Sequence, residues 1–216
     1  MEQKIRMVIL SHITLLGDSV IDNKSYLQTG ELSVTEHLNN LSDLDFTQVA
    51  YDGDTTFDIL NKQLFSPSVK TSSHIVLSIG GNDLLHNLSY LYASSISNIN
   101  IAVAGMYQQI FKPLEDRFET IIQRLSSHRA NLLLCTVYEG DLGRTDEFRD
   151  VLDSSKIMVS SFNDTVYKTA SMYNADVLEL RHIFTSPEDY ANPIEPSHIG
   201  GEKLAKAITD WIQKTS

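Results

Sequence analysis

The sequence predicts an α/β fold built on a parallel sheet, and three observations carry that prediction. Five short apolar runs recur along the chain, helical patterns separate them, and glycine-rich or polar turns follow the runs directly. The runs cover residues 13–16, 46–50, 75–79, 132–137 and 177–180. Each has the length of a strand, and most are unbroken aliphatic stretches, as expected of strands covered on both faces. Strands alternating with helices imply right-handed crossovers and a parallel sheet. A ligand site in such a sheet lies beyond the carboxyl ends of the strands, where the strand order reverses.

The helices follow in order. Ser33 and Glu36 form a capping-box pair that opens a short helix through Leu38 and Leu41. Asp54 or Thr55 caps a second, running through Phe57, Leu60 and Leu64. The longest is expected over residues 106–127, where Phe111, Leu114, Phe118, Ile121, Ile122 and Leu125 draw one apolar stripe. Pro113 intrudes, so that helix begins or kinks there. A later helix spans residues 154–173, with Met158, Phe162 and Val166 on one face. The last begins after Gly200 and Gly201 and buries Leu204, Ala207, Ile208, Trp211 and Ile212. Residues 84–105, rich in Ser, Asn, Tyr and Ile, read as a long loop beside the site, either a lid, a specificity loop or a plain connection.

Composition bounds the function. The chain has 216 residues, 42% hydrophobic, enough for one compact domain over residues 1–216 with a core that needs no disulfide or structural metal. Asp and Glu number 28 against 17 Lys and Arg, giving a net charge of -11. With no basic stripe, that balance argues against nucleic acid as a partner. The single cysteine, Cys135, lies in an apolar run and is expected to be a buried structural thiol. The N-terminal Met1-Glu2-Gln3-Lys4-Ile5-Arg6 leads into an apolar stretch broken by Ser11, His12 and Thr14, neither a clean signal peptide nor a bilayer span. A cytoplasmic location is the expectation, with no stable membrane insertion. The oligomeric state stays open.

Four post-strand segments carry candidate chemistry. Ser19, in Gly17-Asp18-Ser19, follows the first strand; alone, such a serine is as well read as a turn former or helix cap. Gly53, in Asp52-Gly53-Asp54-Thr55, lets a backbone amide approach a ligand. Gly80-Gly81-Asn82-Asp83 follows the third strand and offers the Asn82 amide, the kind of donor a developing oxyanion needs. Glu195-Pro196-Ser197-His198 precedes the final helix, with a spacing at which Glu195 can accept a hydrogen bond from one nitrogen of His198. The other nitrogen is then free to take a proton from a serine.

Together these blocks resemble those of the SGNH, or GDSL-type, hydrolases, in the family's order and extending from Gly17 to His198. The resemblance implies a flavodoxin-like three-layer α/β/α sandwich with a five-stranded parallel sheet, the SGNH hydrolase fold. It implies Ser19 as nucleophile and His198 as base. The Ser19 and Gly53 backbone N–H groups and the Asn82 side chain would be the oxyanion donors. The family carries Asp three residues before its His where this chain has Glu195, which would then complete a Ser-His-Glu site. The activity implied is carboxylic ester hydrolysis through an acyl-enzyme on a small-acyl, carbohydrate or lipid ester, without cofactor or metal. Three other readings stand beside it. One is an acyltransferase using the same site, another a non-catalytic flavodoxin-like binding module. The third is a metal site from His198, Glu195 and Asp18, weak with one clear His. The acyl pocket walls are expected in residues 84–105 and 138–149.

Overall fold

The computed structural model describes residues 12–92 and 98–216; the N-terminal stretch weighed above as a targeting segment lies outside them up to Ser11. At its centre is an all-parallel sheet of β1 (His12–Gly17), β2 (Asp45–Gln48), β3 (His74–Ser78), β4 (Asn131–Cys135) and β5 (Asp176–Leu178), in the order β2-β1-β3-β4-β5. All five apolar runs are strands, shifted by one or two residues at their ends. The order reverses between β1 and β3, so the carboxyl ends of these two strands border the crevice where ligands bind in open α/β sheets.

Eight helices are described: α1 (Val34–Leu41), α2 (Thr56–Asn61), α3 (Pro67–Thr71), α4 (Gly81–Leu85), α5 (Ile99–Met106), α6 (Lys112–Ser126), α7 (Leu152–Tyr173) and α8 (His198–Thr215). The capping box of α1 forms as expected: Ser33 Oγ accepts from the Glu36 N–H at 3.3 Å, and Glu36 Oε2 accepts from the Ser33 N–H at 2.7 Å. Thr55 caps α2, but Phe57 faces solvent and Ile59 takes the buried position.

Three expectations are corrected. Residues 84–105 are not a plain loop: α4 ends within them, a 3₁₀ segment follows at Leu88–Tyr92, and α5 begins at Ile99. Residues 93–97 fall outside the described part. The helix expected over 106–127 is α6 joined to α5 through a π-helical turn at Tyr107–Phe111. Pro113, which has no N–H to donate, is the second residue of α6 and directly follows the π turn that interrupts the regular helical bonds. The last helix starts at His198, with Ser197 Oγ accepting from the Ile199 and Gly200 N–H groups, so the two glycines lie inside its first turn.

Alternate strand residues feed two cores. Ile13, Leu15, Val76, Leu133 and Cys135 pack with Val34 and Leu38 of α1 and Leu204, Ile208 and Trp211 of α8. Leu16, Ile75, Leu77, Leu132 and Leu134 pack with residues of α2, α3, α6 and α7 on the opposite face. Period-two alternation within unbroken apolar runs thus buries both faces of the sheet, giving three layers. Cys135 is buried, and burial raises its thiol pKa to about 12.

Candidate active site

The end of β1 is shaped so that only glycine fits. Gly17 has φ +143°, and a Cβ there would lie 2.1 Å from the carbonyl oxygen of Ser78 on β3. Gln63 clamps the same residue from the other side: its Oε1 accepts from the Gly17 N–H (2.9 Å) and its Nε2 donates to the Gly17 carbonyl (2.7 Å). The Asp18 N–H then donates to Ser78 O at 3.2 Å, and Asp18 Oδ1 accepts from the Val20 N–H at 3.1 Å. This turn holds Ser19 at the rim of the switch point, 5% exposed, with its own N–H making no hydrogen bond to the described protein.

Beyond β3, Gly80 takes φ +114° and opens α4. Asn82 Nδ2 donates to Asp54 O at 3.0 Å, which leaves its second amide hydrogen available. Asp83 does not serve as a simple cap. Its carboxylate accepts from the Thr56 N–H (2.9 Å), Thr56 Oγ1 (2.7 Å) and Arg117 (3.1 Å), tying α4 to α2 and α6. Gly53 sits with φ +83° in the turn closed by the Asp54 N–H to Tyr51 O bond, and its amide has no partner among the described residues.

Glu195 lies in a braced loop. The Ala191 N–H donates to Glu195 O and the Ser197 N–H to Asp189 O. Asn192 Oδ1 accepts from both the Ile194 and Glu195 N–H groups at 2.9 Å. Asn23 Nδ2 holds Pro196 O at 3.1 Å, and the Tyr138 hydroxyl donates to Ile194 O. So supported, Glu195 is 6% exposed and lines one cavity with Ser19, Asp18 and Asn82. Burial raises its carboxyl pKa from 4.5 to about 7; the Ser19 hydroxyl, bearing on it as a donor, opposes the rise, and the Asp52 charge adds to it. Glu195 Oε2 is buried with no hydrogen-bond partner among the described residues. Asp18 is also raised, first by burial, opposed by the Val20 N–H and reinforced by Glu195 and Asp83.

Solved structures share this arrangement of strands and helices. An extracellular lipase from Streptomyces rimosus matches with a TM-score of 0.67 over 93% of this chain and 99% of its own, at 16% identity. A GDSL-like lipase from Bacteroides thetaiotaomicron matches at 0.68 over 95% and 89%, at 11% identity. A lipase/acylhydrolase from Enterococcus faecalis matches at 0.63 over 95% and 96%, at 19% identity. The fold is that of the GDSL-type hydrolases. No protein-family model matches the sequence, and no curated protein matches it by sequence.

Within this GDSL-type fold, one expected contact is missing. His198 does not receive the Glu195 carboxylate and does not line the cavity with Ser19. As the first residue of α8 it faces α1, where its Nδ1 lies 3.0 Å from His37 Nε2 and 3.2 Å from the Leu32 nitrogen. The cause is local: Ser197 caps the helix, so the chain turns between Glu195 and His198 and sends the two side chains apart. The residue of this segment that lines the cavity with Ser19 is Glu195, and the residue three positions before it is Asn192. Among the described residues, no three His, Cys, Asp or Glu side chains come together as a metal site, and no helix is long and apolar enough to cross a membrane. Gln63, Asn23, Tyr138 and Asn192 position the site without having been singled out for it in the sequence.

Proposed function

We propose that this chain hydrolyses carboxylic esters with Ser19 as nucleophile and Glu195, in place of His198, as general base. The observation that carries the reading is the shared cavity at the β1/β3 switch point, in which Ser19 meets a buried carboxyl with a pKa of about 7. A base poised near the working pH combines a useful ionised fraction with driving force for proton transfer. Similarity to lipases, and to an acetyl xylan esterase at TM-score 0.63 and 17% identity, supports the ester class.

In the first step the Ser19 hydroxyl oxygen bonds to the ester carbonyl carbon while Glu195 takes its proton. The carbonyl oxygen becomes an oxyanion, for which the Ser19 N–H and the free Asn82 amide hydrogen are the donors on residues lining the cavity; Gly53, the third expected donor, is not among the lining residues. Collapse breaks the carbon–oxygen bond to the alcohol, which leaves with the proton held by Glu195. Water then adds to the acyl-Ser19 ester, Glu195 takes its proton, and the carboxylic acid departs as Ser19 regains its hydrogen. Burial biases Asp18 toward its neutral form, which limits a second negative charge beside the oxyanion.

The test compares p-nitrophenyl ester hydrolysis by the wild type, Ser19→Ala, Glu195→Gln and His198→Ala. Ser19→Ala and Glu195→Gln are expected to lose activity by at least ~10²-fold, while His198→Ala stays within about threefold of wild type. Activity lost in His198→Ala and kept in Glu195→Gln would restore the Ser-His assignment.

A further inference from the structure

The cavity that holds Ser19 and Glu195 continues into the core of one helical layer. Its aliphatic lining comes from Leu84, Leu85 and Leu88 in and after α4, Val137 after β4, and Met158 and Val159 of α7. Leu84, Met158 and Val159 are also members of the buried core, so they close the inner end, whereas Leu85 and Leu88 are half-buried and form the outer wall. No charged side chain stands among these six. The free space is about 80 Å³, roughly half of the ~150 Å³ apolar cavity that holds one benzene.

The wall is also fixed. Asn163, five residues beyond Met158 on α7, donates to Val137 O (2.7 Å) and accepts from the Val137 N–H (2.8 Å), locking α7 to the exit of β4. Behind Met158, Phe162 packs edge-on against Phe118 of α6, with ring centroids 5.3 Å apart. A wall clamped at both the backbone and the core cannot swing aside to admit a longer chain without breaking close packing.

Resting on the reading of Ser19 as nucleophile, we infer that this cavity is the acyl site, that it takes an unbranched aliphatic acyl group of ~3–4 carbons, and that Met158 sets the limit. The acyl carbonyl sits at Ser19 and the chain lies along Leu84, Val137 and Met158. Long-chain acyl groups overfill the space.

The experiment measures kcat/KM for p-nitrophenyl acetate, butanoate, octanoate and palmitate with the wild type, Met158→Ala and Leu88→Phe, each checked for folding by thermal melting. In the wild type, kcat/KM is expected to rise about fourfold per methylene from acetate to butanoate, as for burial of one CH₂, then fall at least tenfold by octanoate. Met158→Ala should move the optimum toward octanoate, and Leu88→Phe should move it toward acetate. If octanoate or palmitate is turned over as well as butanoate by the wild type, or if neither variant moves the optimum, the acyl-site inference is overturned while the Ser19 reading stands. If no ester is cleaved at all, the Ser19 reading fails, and the cavity is tested directly by NMR titration of Ser19→Ala with ethyl butanoate and ethyl octanoate. Saturable binding of the butanoate alone supports the size limit; equal binding of both, or of neither, removes it.

Discussion

At the scale of single residues, Glu195 is a buried carboxyl held under tension. Its carboxyl is raised from 4.5 to about 7, chiefly by burial. Between those values the folded protein keeps a proton that the unfolded chain has released. The group's contribution to stability is therefore complete below pH ~4.5 and is lost as pH rises through 7. A displacement of that size corresponds to about 3 kcal/mol of folded-state cost at high pH. Glu195→Gln removes the charge at nearly the same volume. It is expected to raise stability in urea at pH 8 by roughly 1–3 kcal/mol, with little gain at pH 4. An equal effect at both pH values would mean that the carboxyl is not strained. The same titration predicts that wild-type kcat/KM rises with pH along a single limb with an apparent pKa near 7, a limb absent from Glu195→Gln.

Among elements, the α1–α8 contact holds two imidazoles, His37 and the His198 expected to be the base. His37 and His198 meet with ring centroids 4.7 Å apart, and the first is 6% exposed. Burial lowers the His37 pKa, the neighbouring His198 charge lowers it further, and Glu202 and Glu36 act in the opposite sense. A base held below its ordinary value of 6.5 binds fewer protons folded than unfolded. The contact thus contributes fully above pH 6.5 and weakens as the medium is acidified. His37→Gln, which keeps a donor and acceptor at the position, should flatten the fall in Tm between pH 7 and 5; a parallel fall in both proteins would remove His37 as the cause. This pair also explains a misreading. Glu195 and His198 have the spacing of a carboxylate that orients a base, but Glu195 lines the cavity while His198 opens α8 against α1. The strands were legible because most are rich in aliphatic residues bounded by turn residues, β2 with its Thr47 and Gln48 least so. The helix α5 was not, since none of its residues is buried and no stripe distinguishes it from a loop. Gln63, Asn23 and Asn163 were illegible for a different reason: each bonds backbone far away in sequence, at separations of 46, 173 and 26 residues, and such bonds leave no local pattern.

For the whole molecule, the two cores and the site draw on opposite resources. Aliphatic residues cover both faces of the sheet, so the fold depends on burial rather than on charge. Several of the described ion pairs are exposed contacts within one helix, such as Lys206–Glu202 and Lys168–Asp164, and pairs of this kind contribute little. Three have a buried carboxylate, Arg117–Asp83, Lys203–Asp189 and Lys62–Asp54; the first ties α4 to α6 and the second ties the segment before the last helix to α8. Over this stands a net charge of -11 whose self-repulsion opposes the compact state. Added salt screens that long-range repulsion more completely than it weakens pairs in contact, because the Debye length falls from ~20 Å near 20 mM to under ~5 Å near 500 mM. Raising sodium chloride over that range should therefore increase Tm by roughly 2–4 °C, the change expected for about 1 kcal/mol in a domain of this size. A Tm that falls with salt would show instead that the ion pairs at Asp83 and Asp189 outweigh the overall field, and Lys203→Met would then be the variant in which the salt dependence disappears.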